Sequence, residues 1–462
     1  MSEDFLELLA PWIEDQDGPL RARLSLAIRQ AILAGRLPEG TRLPAERVLA
    51  SGLHVSRPTI SAVIDDLRRS GLIESRQGSG SWVAATENSP RPSVPFAERV
   101  SLPGVIDLAS ATAPDASAVP PFRLDHADLL AVEPANGFSP LGLGALRDRV
   151  AERQSRFVPT KSEDVIITVG AHQALALLHA TIPSPGQAVL VEDTTYGGLV
   201  DLIGSNGCRV LAVPRDHEGP IPAALGEQLR RHQPSMVVLV SSVHSPTGSV
   251  TSPSRGAELA SLLQAASPQT SVILDETYAD LAFDPVDAAQ RPLAQALGSN
   301  AIRVGTISKS VWTGMRVGWI AAPSSVIERL GRQRWKQFDL GPSVPGQLIA
   351  CRVLDQLDEI LPSRRRRLEE RAEWMVSQMG LVLPRWQPRI PAGGLAMVVD
   401  IGQDGDDFAE RAAQHGVGVL AGSASRADQQ PCQQIRLCFD RPTDVLGDAL
   451  SRLAGLVGAT TQ

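Results

Sequence analysis

The 462-residue sequence has no apolar run approaching the roughly 18 residues needed to cross a bilayer, and its opening stretch, MSEDFLELLAPWIEDQDG, is acidic where a secretion signal would be basic. A cytoplasmic protein is the expectation. Cysteine is scarce: Cys208, Cys351, Cys432 and Cys438 have neither metal-ligand spacing nor the pairing of a redox motif, so free thiols are expected rather than disulfides or a zinc site. General disorder is excluded, because 43% hydrophobic and 21% charged residues is the make-up of an ordinary globular chain. A chain this long exceeds what one core can organise, which predicts two or three domains.

The formal net charge of −7 is unevenly spread. Residues 21–83 hold ten arginines against five acids, a local +5, so the remainder carries −12. A small basic module on an acidic body points to a polyanion-binding head joined to something that does not bind polyanions. A second basic run, Arg364–Arg367, is followed by Glu369, Glu370 and Glu373 at helical spacing, which predicts a solvated, salt-bridged helix face.

Within the basic module, Leu20, Leu24, Ile28 and Ile32 recur every fourth residue and predict an amphipathic helix ending at Gly35. A short second helix is expected from Pro44, with Glu46 in its first turn. Ser56 suits the N-cap of a third helix, Arg57–Ser70, closed by Gly71. Leu72–Ser75 and Ser81–Ala84 read as strands around a glycine-containing tip. Three helices and a hairpin make a winged helix-turn-helix, whose third helix enters the major groove of double-stranded DNA while the wing lies along the backbone or minor groove.

Residues 86–104 contain four prolines and no hydrophobic period, as a semi-extended linker would. They separate a domain at residues 1–85 from one at 105–462. In the latter, β-branched runs (VIITVG, AVLVED, CRVLAVP, MVVLVSS, SVILDE, IRVGTIS, GWIAAP) alternate with helical stretches, predicting an α/β fold with a mainly parallel sheet at about 140–340 and a smaller C-terminal α+β part at about 345–462. Binding sites in such folds gather at the carboxyl ends of strands. Gly170, Ala171 and His172 follow one strand and open a helix, Asp275 ends another, and Lys309 ends a third. Lys309 sits in VGTISKSVWTGMRVGWI, beside Thr306, Ser308 and Arg316: an amine able to form a Schiff base, among donors a phosphate would use.

Two resemblances sharpen this reading. LPAERVLASGLHVSRPTISAVIDDLRRSGLIESRQGSGSWV resembles the DNA-binding module of the GntR family over Leu20–Val83. The likeness implies DNA contacts from Arg47 on the second helix, from Ser56, Arg57 and Thr59 at the start of the recognition helix, and from Gln77 and Gly78 in the wing. Residues 105–462 resemble the fold-type I pyridoxal-phosphate enzymes of the aminotransferase superfamily. That likeness implies Lys309 as the Schiff-base lysine, Asp275 on the pyridine nitrogen, Tyr278 on the ring hydroxyl and Tyr196 stacked on the ring. It further implies Arg316, Thr306, Ser308, Ala171 and His172 around the phosphate, and Arg436, in QIRLCF, as the clamp of an α-carboxylate.

Two positions depart from the family pattern. Ser245-Pro246-Thr247-Gly248 stands where Asn-Pro-Thr-Gly is usual, and Phe138 stands where a tyrosine usually reaches a neighbouring subunit's phosphate. The whole chain resembles the MocR family of dimeric bacterial regulators, which implies an aminotransferase-like body that senses an amino compound or the cofactor itself. The alternatives are a working aminotransferase that also binds DNA, and a DNA-binding dimer whose body is a scaffold.

Overall fold

The computed structural model describes residues 20–33, 37, 40–53, 55–69, 72–76, 80–83, 104–284, 286 and 290–459. Gly35, Gly71, the wing tip with Gln77 and Gly78, and all of the expected linker except Gly104 lie outside the described residues. The chain divides into two compact units, Met1–Val94 and Pro95–Gln462.

In the first unit, α1 (Leu20–Leu33), α2 (Glu46–Gly52) and α3 (Arg57–Arg69) precede an antiparallel hairpin of β1 (Ile73–Arg76) and β2 (Gly80–Val83). Leu24 and Ile28 of α1 bury against Ile60, Ile64 and Leu67 of α3, with Leu49, Ile73 and Val83 closing the core. The every-fourth-residue apolar stripe therefore does what its period predicts. The second helix, expected from Pro44, begins at Glu46 instead: Ala45 is extended, at ψ 144°, and its carbonyl accepts the first helical bonds from Val48 and Leu49. Glu46 accepts a hydrogen bond from the Ser61 hydroxyl at 2.6 Å, which ties the start of α2 to α3.

The second unit is built on a seven-stranded sheet. Its strands are β4 (Val165–Thr168), β5 (Ala188–Glu192), β6 (Arg209–Val213), β9 (Met236–Val240), β10 (Ser271–Asp275), β11 (Ala301–Thr306) and β12 (Gly318–Ala321), in the order β4-β12-β11-β10-β9-β5-β6. All neighbours run parallel except β12, which is antiparallel to both β11 and β4. Strands such as VIIT and MVVLV are buried along nearly their whole length because helices cover both faces, which is why they lack alternation. A short hairpin, β7 (Arg215–Asp216) with β8 (Gly219–Pro220), follows β6.

The C-terminal part carries an antiparallel sheet of β13 (Gln387–Pro388), β14 (Ala396–Asp400), β17 (Gln434–Cys438) and β16 (Leu420–Ala421). Near the start of the unit, β3 (Ile106–Asp107) pairs in parallel with β15 (Val417–Gly418), so the residues after the expected linker are woven into the C-terminal part. The arginine run corrects an expectation. Arg364 is buried and makes a two-pronged contact with Asp440, which Arg371 also reaches at 2.6 Å. On the long helix Leu357–Val382, residues 361, 364 and 368 share the inward stripe, and an acid from a different element supplies the counter-charge.

Candidate functional site

A cavity of about 660 Å³ lies at the carboxyl ends of the large sheet's strands and is lined by Gly170, Ala171, His172, Tyr196, Ser245, Asp275, Tyr278, Thr306, Ser308, Lys309, Arg316 and Arg436. Every body residue singled out from the sequence for the cofactor or the carboxylate is thus brought to one place, including Arg436 from the smaller sheet.

Lys309 lies three residues past the end of β11 rather than on it. The turn that carries it is held by Thr306, whose hydroxyl donates to the Val317 carbonyl at 2.6 Å and accepts from the Ser308 amide at 3.1 Å. The Thr306 proton is therefore committed to shaping the loop. Lys309 Nζ donates to the Ala111 carbonyl at 2.8 Å, and burial, reinforced by the Arg436 and Arg316 charges, lowers its pKa to about 8. Asp275 ends β10, accepts the Thr277 amide at 2.8 Å, and has its carboxyl raised by burial, which a cationic partner would reverse.

The ring-facing residues come from loops. Tyr196 follows β5, caps α5 (Gly197–Ser205), and lies edge-on to His172 with centroids 5.9 Å apart and a hydroxyl–Nδ1 distance of 3.2 Å. Burial pushes the Tyr196 phenol up to about 12 and raises Tyr278 as well. Tyr278 donates to the Ala111 carbonyl at 3.4 Å, and Ser245, at the usual asparagine position, lines the same cavity.

An anion cradle lies at the start of α4 (Ala171–Thr181), the helix capped by Gly170. Gly170 has φ +126°, a conformation L side chains rarely adopt, so glycine permits the turn that lies in contact with the Arg316 guanidinium. Arg316 is itself left-handed, at φ 49°, a conformation that surrounding structure must enforce. The Ser308 hydroxyl is buried with no hydrogen-bond partner among the described residues, as a donor awaiting an external acceptor would be. Arg436, on β17, is buried and donates to the Ala109 carbonyl. Phe138 sets its ring edge-on to Trp335 at 5.4 Å.

The sequence reading missed the segment Asp107–Ala113. Arg441 holds it by donating to the carbonyls of Asp107, Ser110 and Thr112, and its Ala109 and Ala111 carbonyls receive Arg436 and Lys309. Backbone acceptors have no residue-type signature, so nothing in the sequence marked them. In the head, Arg47 and Arg57 line one hollow together with Arg42, which the sequence reading also passed over and whose guanidinium lies against Gly80 of the wing. Ser56 accepts the Thr59 amide at 3.3 Å and bonds its hydroxyl at 2.7 Å, which completes the expected cap.

The family model for aminotransferase class I and II matches residues 103–453. The chain belongs to that family. A second model, for bacterial regulatory proteins of the gntR family, matches residues 20–83, which implies DNA binding by the head. The Bacillus subtilis HTH-type transcriptional regulator YisV is 29% identical over 82% of this chain and 83% of its own length, and the Rhodobacter capsulatus regulator TauR is 28% identical over 67% and 69%. The Thermus thermophilus 2-aminoadipate transaminase is 28% identical over 67% of this chain and 77% of its own. Among solved structures, the α-aminoadipate aminotransferase LysN of Thermus thermophilus, complexed with N-(5′-phosphopyridoxyl)-L-leucine, superposes with a TM-score of 0.67 at 23% identity, covering 79% of this chain and 96% of that one, a likeness of fold. A GntR-type head on a class I and II body is the build of the MocR-type transcription regulators, which favours the regulator reading over that of an aminotransferase that also binds DNA.

Proposed function

We propose that this regulator holds pyridoxal phosphate through Lys309 and uses the loaded body to sense an amino compound bearing a carboxylate, with the head on double-stranded DNA and two copies forming the working dimer. The observation that carries this is the convergence on one cavity of a desolvated amine with a pKa near 8, a buried carboxylate at Asp275, and the guanidinium of Arg436. The cradle fits the cofactor: the unsatisfied Ser308 hydroxyl, Arg316 and the start of α4 suit its phosphate, and Asp275 suits its pyridine nitrogen. Bound there, pyridoxal phosphate supplies an aldehyde that captures amines and a ring that acts as an electron sink.

Lys309 is half-neutral near pH 8, which keeps it nucleophilic. Arg436 presents a fork matched to a carboxylate, and Tyr196 covers a ring face. The two departures weigh against fast turnover: Ser245 is shorter than asparagine, and Phe138 has no hydrogen bond to give, each a loss of about 1 kcal/mol on the scale of an ordinary hydrogen bond. Dimerisation is supported by the exposed apolar side chains Trp335, Phe338 and Leu340, which lie within six residues of one another, the first of them being the ring partner of Phe138.

A ligand can shift operator affinity only by its differential affinity for two states of the regulator, and a coupling of about 1–3 kcal/mol corresponds to roughly 5–150-fold. The test is a panel of amino acids added to cofactor-loaded protein, with the visible spectrum and operator affinity read in parallel. One compound is expected to change both, and Arg436→Ala to abolish that response while cofactor and basal DNA binding persist. An unaltered response in Arg436→Ala, or transamination at ordinary enzyme rates of about 1–1000 per second, would overturn the sensor reading.

A further inference from the structure

Behind the cavity, outside every residue assigned to the cofactor or the ligand, lies a buried polar cluster. Glu192 ends β5 and is 1% exposed, and Arg215 of β7 approaches it at 2.9 Å while itself only 6% exposed. The same guanidinium donates to Thr247 Oγ1 at 3.1 Å and Ser249 Oγ at 3.0 Å. The other Glu192 oxygen accepts the Val240 amide at 2.8 Å, at the end of β9. His244 completes the set: Nδ1 lies 2.8 Å from Thr247 Oγ1, and Nε2 lies 3.0 Å from the Thr194 carbonyl and 3.4 Å from Glu192. A carbonyl only accepts, so Nε2 carries the proton and Nδ1 accepts from Thr247, whose oxygen then accepts from Arg215. Burial and the Arg215 charge hold His244 in this neutral form.

The connectivity matters more than the ion pair. Thr247 and Ser249 belong to the loop that carries Ser245 into the cavity, and Thr194 lies two residues before Tyr196. Arg215 makes no hydrogen bond to Ser245 or Tyr196 among the described residues, yet it is the group from which bonds run to both loops: directly to the first, through Thr247 and Ser249, and by way of Thr247 and His244 to the Thr194 carbonyl of the second. A structural ion pair needs one acid. This one uses both forks of the guanidinium on hydroxyls of a cofactor-facing loop, in a position where a hydrophobic pair would fill the space at no desolvation cost.

We propose that Arg215, with Glu192 and His244, is a positioning unit that fixes the distance between the loop carrying Ser245 and the loop carrying Tyr196, and so sets how the cofactor ring is held at its hydroxyl edge and on its face. This rests on the reading of the cavity as the pyridoxal phosphate site. Arg215→Lys keeps the charge but replaces the spread planar fork, whose three nitrogens each reach a different acceptor, by one compact ammonium, and Thr247→Val keeps the shape but removes the oxygen shared by Arg215 and His244.

The experiment titrates cofactor-free wild type, Arg215→Lys, Thr247→Val and Thr247→Ser with pyridoxal phosphate, reading the dissociation constant and the position of the visible band, with circular dichroism as a check of folding. Arg215→Lys and Thr247→Val are expected to bind at least tenfold more weakly with a displaced band, and Thr247→Ser to match wild type. If Thr247→Val fails to fold, Ser249→Ala carries the same readout, with a displaced band expected. Folded Arg215→Lys and Thr247→Val or Ser249→Ala proteins with wild-type affinity and band would overturn the positioning unit alone. A wild type that takes up no cofactor would instead overturn the site reading on which it rests.

Discussion

Lys309 shows how far single residues were legible. Its setting between Thr306, Ser308 and Arg316 marked it, and so does a scarcity: the chain has three lysines among 44 basic residues, and the other two, Lys161 and Lys336, are exposed. Lys309→Ala is therefore expected to abolish the visible absorption of cofactor-loaded protein, with no second buried amine to take over; a spectrum that survives would assign the linkage to an exposed lysine. Its pKa adds a pH dependence of known sign. Capture of an aldehyde needs the neutral amine, and the group is lowered from 10.5 to about 8, so the loading rate should rise by roughly tenfold per pH unit below 8 and level off above it. Stopped-flow mixing of apoprotein with cofactor measures this, and a plateau reached only near pH 10 would contradict it. Thr306 was legible as a neighbour but not as a loop-shaper, because the acceptor of its proton is the backbone of Val317, eleven residues away, which no residue type reveals.

At the scale of elements, the seven strands of the large sheet announced themselves as apolar runs, whereas the antiparallel setting of β12 did not, since direction leaves no mark on a strand buried on both faces. The arginine run misled for a related reason. Local spacing favoured pairing with Glu369, Glu370 and Glu373, but Arg364 found Asp440, 76 residues on, in the interior. Asp440→Ala leaves two guanidinium groups beside an empty site, one of them fully enclosed, and is expected to destabilise the body by about 3–5 kcal/mol in urea unfolding. A loss below about 1 kcal/mol would mean the pair is solvated after all. In the head, the Ser56 cap was readable from sequence because capping is local, and Ser56→Ala should cost about 0.5–2 kcal/mol of head stability by thermal unfolding.

For the molecule as a whole, the +5 head on a −12 remainder predicts where salt acts. Operator binding should weaken steeply as salt rises, and Arg57→Ala should cost about 1–3 kcal/mol with loss of sequence preference if it reads a base edge, or lower the salt slope by about one if it meets phosphate. Anisotropy titrations over a salt series separate the two, and a variant that matches wild type in affinity and slope would remove Arg57 from the interface. The body's tethered amine and guanidinium set a different limit. Lys309 rests on the Ala111 carbonyl and Arg436 on that of Ala109, in the segment Arg441 holds near the start of the body. Whatever captures these two cations takes them from acceptors already in place, so binding is an exchange of partners rather than the filling of a void. Measured affinities will then understate the strength of the new contacts: capture of Arg436 removes a donor from the Ala109 carbonyl, and capture of Lys309 leaves the Ala111 carbonyl to the Tyr278 hydroxyl.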